Sequence, residues 1–402
     1  MGIIVLVYVL ACGIMGRWWA LLAAVFSTAT PALLYFARLP VPHVPAVFFA
    51  LAAFVVYRQW LMTGKRLHFI LLWLTLIVGA WTDWIVYFVM LWLVVHYVLF
   101  HYRQRSDRGF VLVGILLPFL TFAVYIVWVL SLAGSGPLLD LFDIFRFRTL
   151  SASLEHQQKY VFTPSEFYRL AYRWVLLYFT PVLSVLSLLW SASVLVRIPR
   201  RRVSEGDSLV LCLFLYGLTH HLMFSNRAYI HDFVMVFQWI PFFTLAATLG
   251  VRLIANSLPS RWQVVGGIVL TALVLVGVFA ESRAHIQSLH VERIEADYFR
   301  VGREIDRSAP REARVMASFL PDIRMRFYMD RPVDWVADQE TFDASMRGKG
   351  VYSHYLFWSK SSAISESLRR YLMEHYPVLS YGDYTLFDLR KAGDHLVSLD
   401  VE

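Results

Sequence analysis

Long apolar runs separated by short polar gaps fill the first two thirds of the chain. Ten of them read as membrane spans, at roughly 2–15, 18–36, 44–62, 66–83, 84–100, 109–132, 174–196, 208–224, 229–250 and 262–280. Most come near the ~20 residues that cross a hydrocarbon core, and the first is short. Residues 133–173 interrupt the series as one long outer loop. It opens on Gly134-Ser135-Gly136-Pro137, a turn signal, and closes on Thr163-Pro164-Ser165-Glu166, a capping box with proline at the first helical position. A helix is therefore predicted to begin near residue 164. From about residue 282 the pattern changes, charged residues become frequent and long apolar runs stop. There the alternation predicts an amphipathic helix over 291–308, strands at 313–318, 333–337, 351–358 and 381–389, and helices at 339–348 and 362–376. The expected fold is a mainly α, polytopic membrane protein of about ten transmembrane helices (1–281), followed by a small extracytoplasmic α/β domain (282–402).

Composition supports a membrane reading, with 58% hydrophobic residues and a mean hydropathy of +0.56. Charge adds an orientation. Dense clusters of Arg and Lys fall on alternate gaps: Arg17; Arg58, Lys65 and Arg66; Arg103, Arg105 and Arg108; Arg197, Arg200, Arg201 and Arg202; Arg252 and Arg261. Short loops rich in these residues stay cytoplasmic, so both chain ends are expected outside. Trp18, Trp19, Tyr35, Trp81, Trp84, Tyr97 and Trp174 crowd the expected interfaces as aromatic belts do. The formal charge of +8 does not indicate nucleic acid. Much of it sits in the topology-setting loops, and no aromatic–basic interleaving or zinc spacing accompanies it. Cys12 and Cys212 both lie in apolar runs and make no disulfide framework. The opening Met1-Gly-Ile-Ile-Val has no basic leader, and charge places it entering from outside. The expectation is that a helix and an outer loop precede it, with a genuine short first helix as the alternative.

The unusual polar residues gather on the expected outer face. Arg38 and His43 lie in a stiff, proline-rich turn, where an arginine can meet a phosphate and a histidine can donate to one; a snorkelling interfacial arginine is the alternative. Asp83, in Trp81-Thr82-Asp83-Trp84, sits at the hinge between two spans. It is a candidate base or metal ligand, or else an ordinary turn residue. Arg227, His231 and Asp232 lead into another span; a helix start accounts for Asp232 by itself but less well for His231. His220 and His221 lie deeper and read first as core histidines. The outer loop carries Arg146, Arg148, Lys159, Arg169 and Arg173 against the topological bias. They fit a phosphate-bearing ligand or anionic headgroups. Arginines, histidines, carboxylates and aromatics around helix ends suit a lipid-linked anionic substrate.

Five strings stand out: Trp19-Ala-Leu-Leu-Ala-Ala, Ser27-Thr-Ala-Thr-Pro31-Ala-Leu-Leu-Tyr35-Phe-Ala-Arg38, Thr63-Gly64-Lys65-Arg66, Gly79-Ala-Trp-Thr-Asp83-Trp84 and His231-Asp232-Phe233 ahead of Pro241. They resemble GT-C-type integral-membrane glycosyltransferases, in the protein mannosyltransferase-like and aminoarabinose transferase-like branches. Ala313-Arg-Val-Met and Asp330-Arg331-Pro332-Val333 are similar to the outer domains of such proteins. The resemblance implies a bacterial inner-membrane enzyme taking a sugar from a polyprenyl-phosphate donor to an extracytoplasmic acceptor. A base would deprotonate the acceptor, and cationic groups or a divalent metal would stabilise the leaving phosphate. Arg38, His43, Arg146, Arg148, Lys159 and Arg227 would bind the donor phosphate. The family's acidic motif in the first outer loop has no counterpart before Arg17, which leaves Asp83, His231 and Asp232 as catalytic candidates. It also leaves open an inactive membrane scaffold. A transporter or flippase of lipid-linked saccharide is the other rival, although no internal repeat is evident and few polar residues lie deep in the spans.

Overall fold

Thr163 opens a helix through a reciprocal cap. Its hydroxyl accepts from the Glu166 amide at 3.3 Å, and the Glu166 carboxylate accepts from the Thr163 amide at 2.7 Å. Ser204 and Asp207 repeat the device at the start of Glu205–Met223. The computed structural model describes residues 1–37, 42–105, 107–150, 162–200, 202–291, 294–319, 321, 323–348, 351–358 and 364–390. It divides into two compact units, 1–286 and 287–402.

The first unit is helical. Among the described residues, four helices are long and apolar enough to cross a bilayer: His43–Thr63, Arg108–Ala133, Val234–Ser257 and Ser260–Gln287. A fifth arises if Pro164–Phe179 and Pro181–Arg197 count as one bent span. Shorter apolar helices cover Gly2–Met15, Arg66–Thr82 and Ile85–Phe100. The apolar window of Ser260–Gln287 is only 6% buried and that of Arg108–Ala133 only 17%. In water such faces would be large unprotected patches, whereas in a bilayer they are ordinary lipid-facing surface. The chain is an integral membrane protein.

Three expected spans are broken. Residues 18–36 split at Thr30 into Arg17–Ala29 and Pro31–Phe36. Residues 174–196 bend by 112° at Thr180, whose φ of 62° ends one helix before Pro181 starts the next. Residues 229–250 are interrupted at His231 and again by a single 3₁₀ turn, Phe237–Trp239, before Ile240–Ser257. The expected loop 133–173 is not wholly irregular, because Gly136–Leu150 is helical. It packs against the short helix Ser225–Ile230.

One buried polar chain inside this unit links three helices. His96 accepts from the Tyr57 hydroxyl at Nδ1 (2.8 Å) and donates from Nε2 to Ser208 (2.9 Å), which donates in turn to the Glu205 carbonyl. Arg58, counted above as a topological charge, donates to the Gly13 carbonyl in the last turn of Gly2–Met15. A cation there complements the helix dipole.

The second unit is a five-stranded sheet with helices. The strands are β1 (Arg314–Ala317), β2 (Val333–Trp335), β3 (Tyr352–Trp358), β4 (Val378–Tyr381) and β5 (Tyr384–Asp388), in the order β2-β1-β3-β5-β4. β1 runs parallel to β2 and β3, while β5 runs antiparallel to β3 and β4. The expected element at 381–389 is thus the second arm of a hairpin, and the helix Ile323–Met329 was not foreseen. Alternation sorts the core. Val315, Leu356 and Leu386 face Val301 and Ile305 of Ile294–Ser308. Met316, Tyr355 and Phe387 face Leu368 and Leu372 of Glu366–His375. A one-residue slip would exchange the two sets.

Candidate active site

His43 is the first residue of His43–Thr63, and Asp83 is the extended residue between Arg66–Thr82 and Ile85–Phe100. Packing of these helices brings His43 Nε2 to 3.6 Å from Asp83 Oδ2. Both residues are buried, at 0% and 8% exposure. Asp83 Oδ1 accepts from the Ile85 amide at 3.3 Å, so this oxygen steadies the start of the next helix, where the dipole favours negative charge. The other oxygen faces the imidazole. Trp84, next in sequence, packs against Phe145 and Phe224 at centroid distances of 5.9 and 6.0 Å.

A second polar group lies within electrostatic reach of His43. His221 Nε2 donates to the Val234 carbonyl at 3.2 Å, a carbonyl that also accepts from Gln238 Nε2 at 3.0 Å. Gln238 stands in the 3₁₀ turn, touches His221, and places Nε2 3.3 Å from His220 Nδ1; its own carbonyl accepts from the Tyr216 hydroxyl at 2.6 Å. Tightened turns inside helices recur at functional hinges. The turn also packs against His43–Thr63. Beyond it, the Tyr178 hydroxyl donates to Asp232 Oδ2, and Phe36 joins the two regions, 5.0 Å from the Tyr178 ring and 6.4 Å from Phe237.

Of the residues proposed from sequence, the fold brings His43 and Asp83 together. It gives Asp232 a phenolic partner and leaves His231 exposed beside it. Arg227 is half-buried on Ser225–Ile230, and Arg146 is exposed on the helix packed against that one. Arg38, Lys159 and the side chain of Arg148 lie outside the described residues. Tyr178 and Gln238 were not singled out. Gln238 left a signal, as a lone amide in the apolar run Val234-Met-Val-Phe-Gln-Trp-Ile. Tyr178 left none among 21 tyrosines.

His43 and Asp83 supply two donors suited to a divalent cation. Among the described residues, however, no group of three or more His, Cys, Asp or Glu side chains is placed to hold one. Close by, an apolar cavity of about 470 Å³ lies between Phe119 and Phe122, Phe142 and Phe145, and Trp84, Phe88 and Phe224. Arg146 sits one helical turn from Phe142 on the same helix face.

No sequence-family profile and no curated protein matches the chain. Solved structures do. ArnT, the aminoarabinose transferase of Cupriavidus metallidurans, superposes in its apo state with a TM-score of 0.63 at 14% identity, over 98% of this chain and 83% of ArnT. The same protein bound to undecaprenyl phosphate gives 0.62 at 12% identity over the same shares. The apo oligosaccharyltransferase of Archaeoglobus fulgidus gives 0.53 at 10% identity, over 89% of this chain and 57% of that one. Both neighbours are GT-C glycosyltransferases, and the chain described here has their membrane fold, with a small sheet at its C-terminal end.

Proposed function

We propose that this protein is a GT-C-type glycosyltransferase of the bacterial inner membrane, moving a sugar from a polyprenyl-phosphate donor to an extracytoplasmic lipid, glycan or protein. The observation that carries the reading is the buried His43–Asp83 pair, held where helix ends meet beside an apolar cavity. The ArnT-like fold supports it, since one neighbour was captured with undecaprenyl phosphate. The polyprenyl chain lies against the Phe142 and Phe145 face, and its phosphate meets Arg146 and Arg227, with Arg38, Arg148 and Lys159 as further cations. Asp83 takes the proton of the acceptor hydroxyl. The hydroxyl oxygen bonds to the anomeric carbon as the bond from that carbon to the phosphate oxygen breaks. The electron pair leaves with the polyprenyl phosphate, whose charge the arginines offset. His43 orients the Asp83 carboxylate. Asp232, held by Tyr178, is the second carboxylate of the site, and His231 borders the acceptor side.

The test is transfer of labelled sugar from polyprenyl phosphate in membranes holding the parent, Asp83→Asn or Arg227→Ala. Asp83→Asn is expected to slow transfer by about 10²–10⁴-fold, the usual scale of a general base. Arg227→Ala is expected to raise the donor concentration needed. Equal incorporation by all three removes these residues from the site. A flippase would move the label across the bilayer still joined to its lipid, without releasing polyprenyl phosphate. A parent that transfers nothing favours the scaffold reading.

A further inference from the structure

A second cavity, of about 690 Å³, opens at the other end of the bundle, between Arg17–Ala29, Ile240–Ser257 and Gln263–Val291. Ile240–Ser257 begins beside Gln238 and runs 18 residues, about 27 Å at 1.5 Å per residue, before reaching this cavity at Ala255 and Asn256. The space is therefore separate from the candidate active site. Its size falls within the range of small-molecule sites. Its floor is apolar, with Leu22, Ile268 and Leu275 along it and Trp18 and Trp19 at the rim.

Three arginines stand near lining residues in the chain. Arg17 lies 5.0 Å over the Trp18 ring. Arg252 is one turn from Asn256 on the same helix face, and Arg261 stands two residues before the lining Gln263. Among the described residues none of the three arginines has a carboxylate partner. Trp18 is 72% exposed and Trp262 is 54% exposed. Indoles set with unpaired guanidinium groups mark the depth where acyl chains meet headgroups. An apolar slot beneath free positive charge is complementary to a molecule with a greasy tail and a negatively charged head.

We propose that this slot holds one anionic glycerophospholipid of the bilayer, its acyl chain between Trp19 and Ile268 and its phosphate against Arg17, Arg252 and Arg261. The two indoles serve as reporters. The full chain is placed in phosphatidylcholine vesicles with a minor fraction of brominated phosphatidylglycerol or, for comparison, of brominated phosphatidylcholine. Quenching lost in the Trp18→Phe/Trp19→Phe variant isolates these two residues from the rest. The expected result is a preference for the anionic lipid of about tenfold, the scale of one to two basic contacts at a membrane surface. Replacing all three arginines by Gln abolishes that preference and leaves the weaker quenching by brominated phosphatidylcholine intact. Equal quenching by both lipids in the parent overturns the proposal. So does displacement of the quencher by unbrominated undecaprenyl phosphate at concentrations where unbrominated phosphatidylglycerol fails, since the slot would then belong to a carrier lipid.

Discussion

His354 on β3 is 1% exposed, with Nδ1 3.0 Å from Ser353 Oγ and Nε2 3.3 Å from Ser308 Oγ. Ser308 donates its own proton to the Glu304 carbonyl, so it accepts from the imidazole and is no activated nucleophile. Burial pushes the His354 pKa down to about 4, against a partial pull upward from Asp388. Burial also tends to raise the Asp388 carboxyl, but the hydrogen bonds from Arg390 outweigh it and hold that group below its ordinary value. An unfolded histidine takes its proton near 6.5. Between there and about 4 the unfolded chain binds more protons at this histidine, so His354 is expected to cost the sheet stability as pH falls through that window, and below it the depressed Asp388 carboxyl carries the loss further. The histidine's share is on the order of 3 kcal/mol, read as protease sensitivity of the C-terminal unit in the full chain. His354→Phe is expected to flatten the window, and an unchanged profile would remove His354 as its origin. In the membrane unit, residue-level legibility was uneven. His43 and Asp83 each stood out, one in a proline-rich turn and one between two spans. Their meeting is a contact across 40 residues that no local spacing encodes. Tyr178 looks like any aromatic near an interface until the chain bends behind it.

At the scale of elements, the capped start at Thr163 was readable because capping residues are local; Ser204 carries the same signal and places its helix start at Glu205, ahead of the expected 208. The breaks were not readable, because apolar residues continue straight through them. Pro31, Pro181 and Pro241 follow the broken points closely, yet Pro118 sits inside the unbroken Arg108–Ala133. Proline alone therefore does not separate a break from a tolerated kink; neighbouring helices decide. Pro181–Arg197 and Ile240–Ser257 are one such closely packed pair. A Cβ built on Gly250 would lie 2.4 Å from the Leu186 carbonyl oxygen, and Phe179 stacks on Phe243 at 4.1 Å. Gly250→Ala must push two backbones apart. It is expected to destabilise the unit by about 1–3 kcal/mol, seen as a lower thermal midpoint in detergent. A midpoint equal to the parent's would mean that the two helices do not approach this closely.

At the scale of the whole molecule, class and architecture followed from hydropathy and alternation, because membrane spans and sheet faces are periodic over many residues. The count of ten spans does not follow so simply: four helices meet the length and apolarity needed, and the others are short, bent or broken. The 112° bend at Thr180 matters beyond topology. It lays Pro164–Phe179 nearly perpendicular to the helix that follows. Phe167 is buried beneath it, while Tyr168, Arg169, Tyr172 and Arg173 point outward. A helix with that face is suited to the lipid–water boundary. Tyr178, in its last turn, holds Asp232, so under the proposed function a helix at the bilayer surface would form one wall of the candidate site. Hydrophobic mismatch would then bear on the proposed transfer. Lengthening the host acyl chains raises that helix, and turnover is expected to vary with lipid thickness in the parent and much less in Tyr178→Phe. Identical thickness profiles for the two would cut that link.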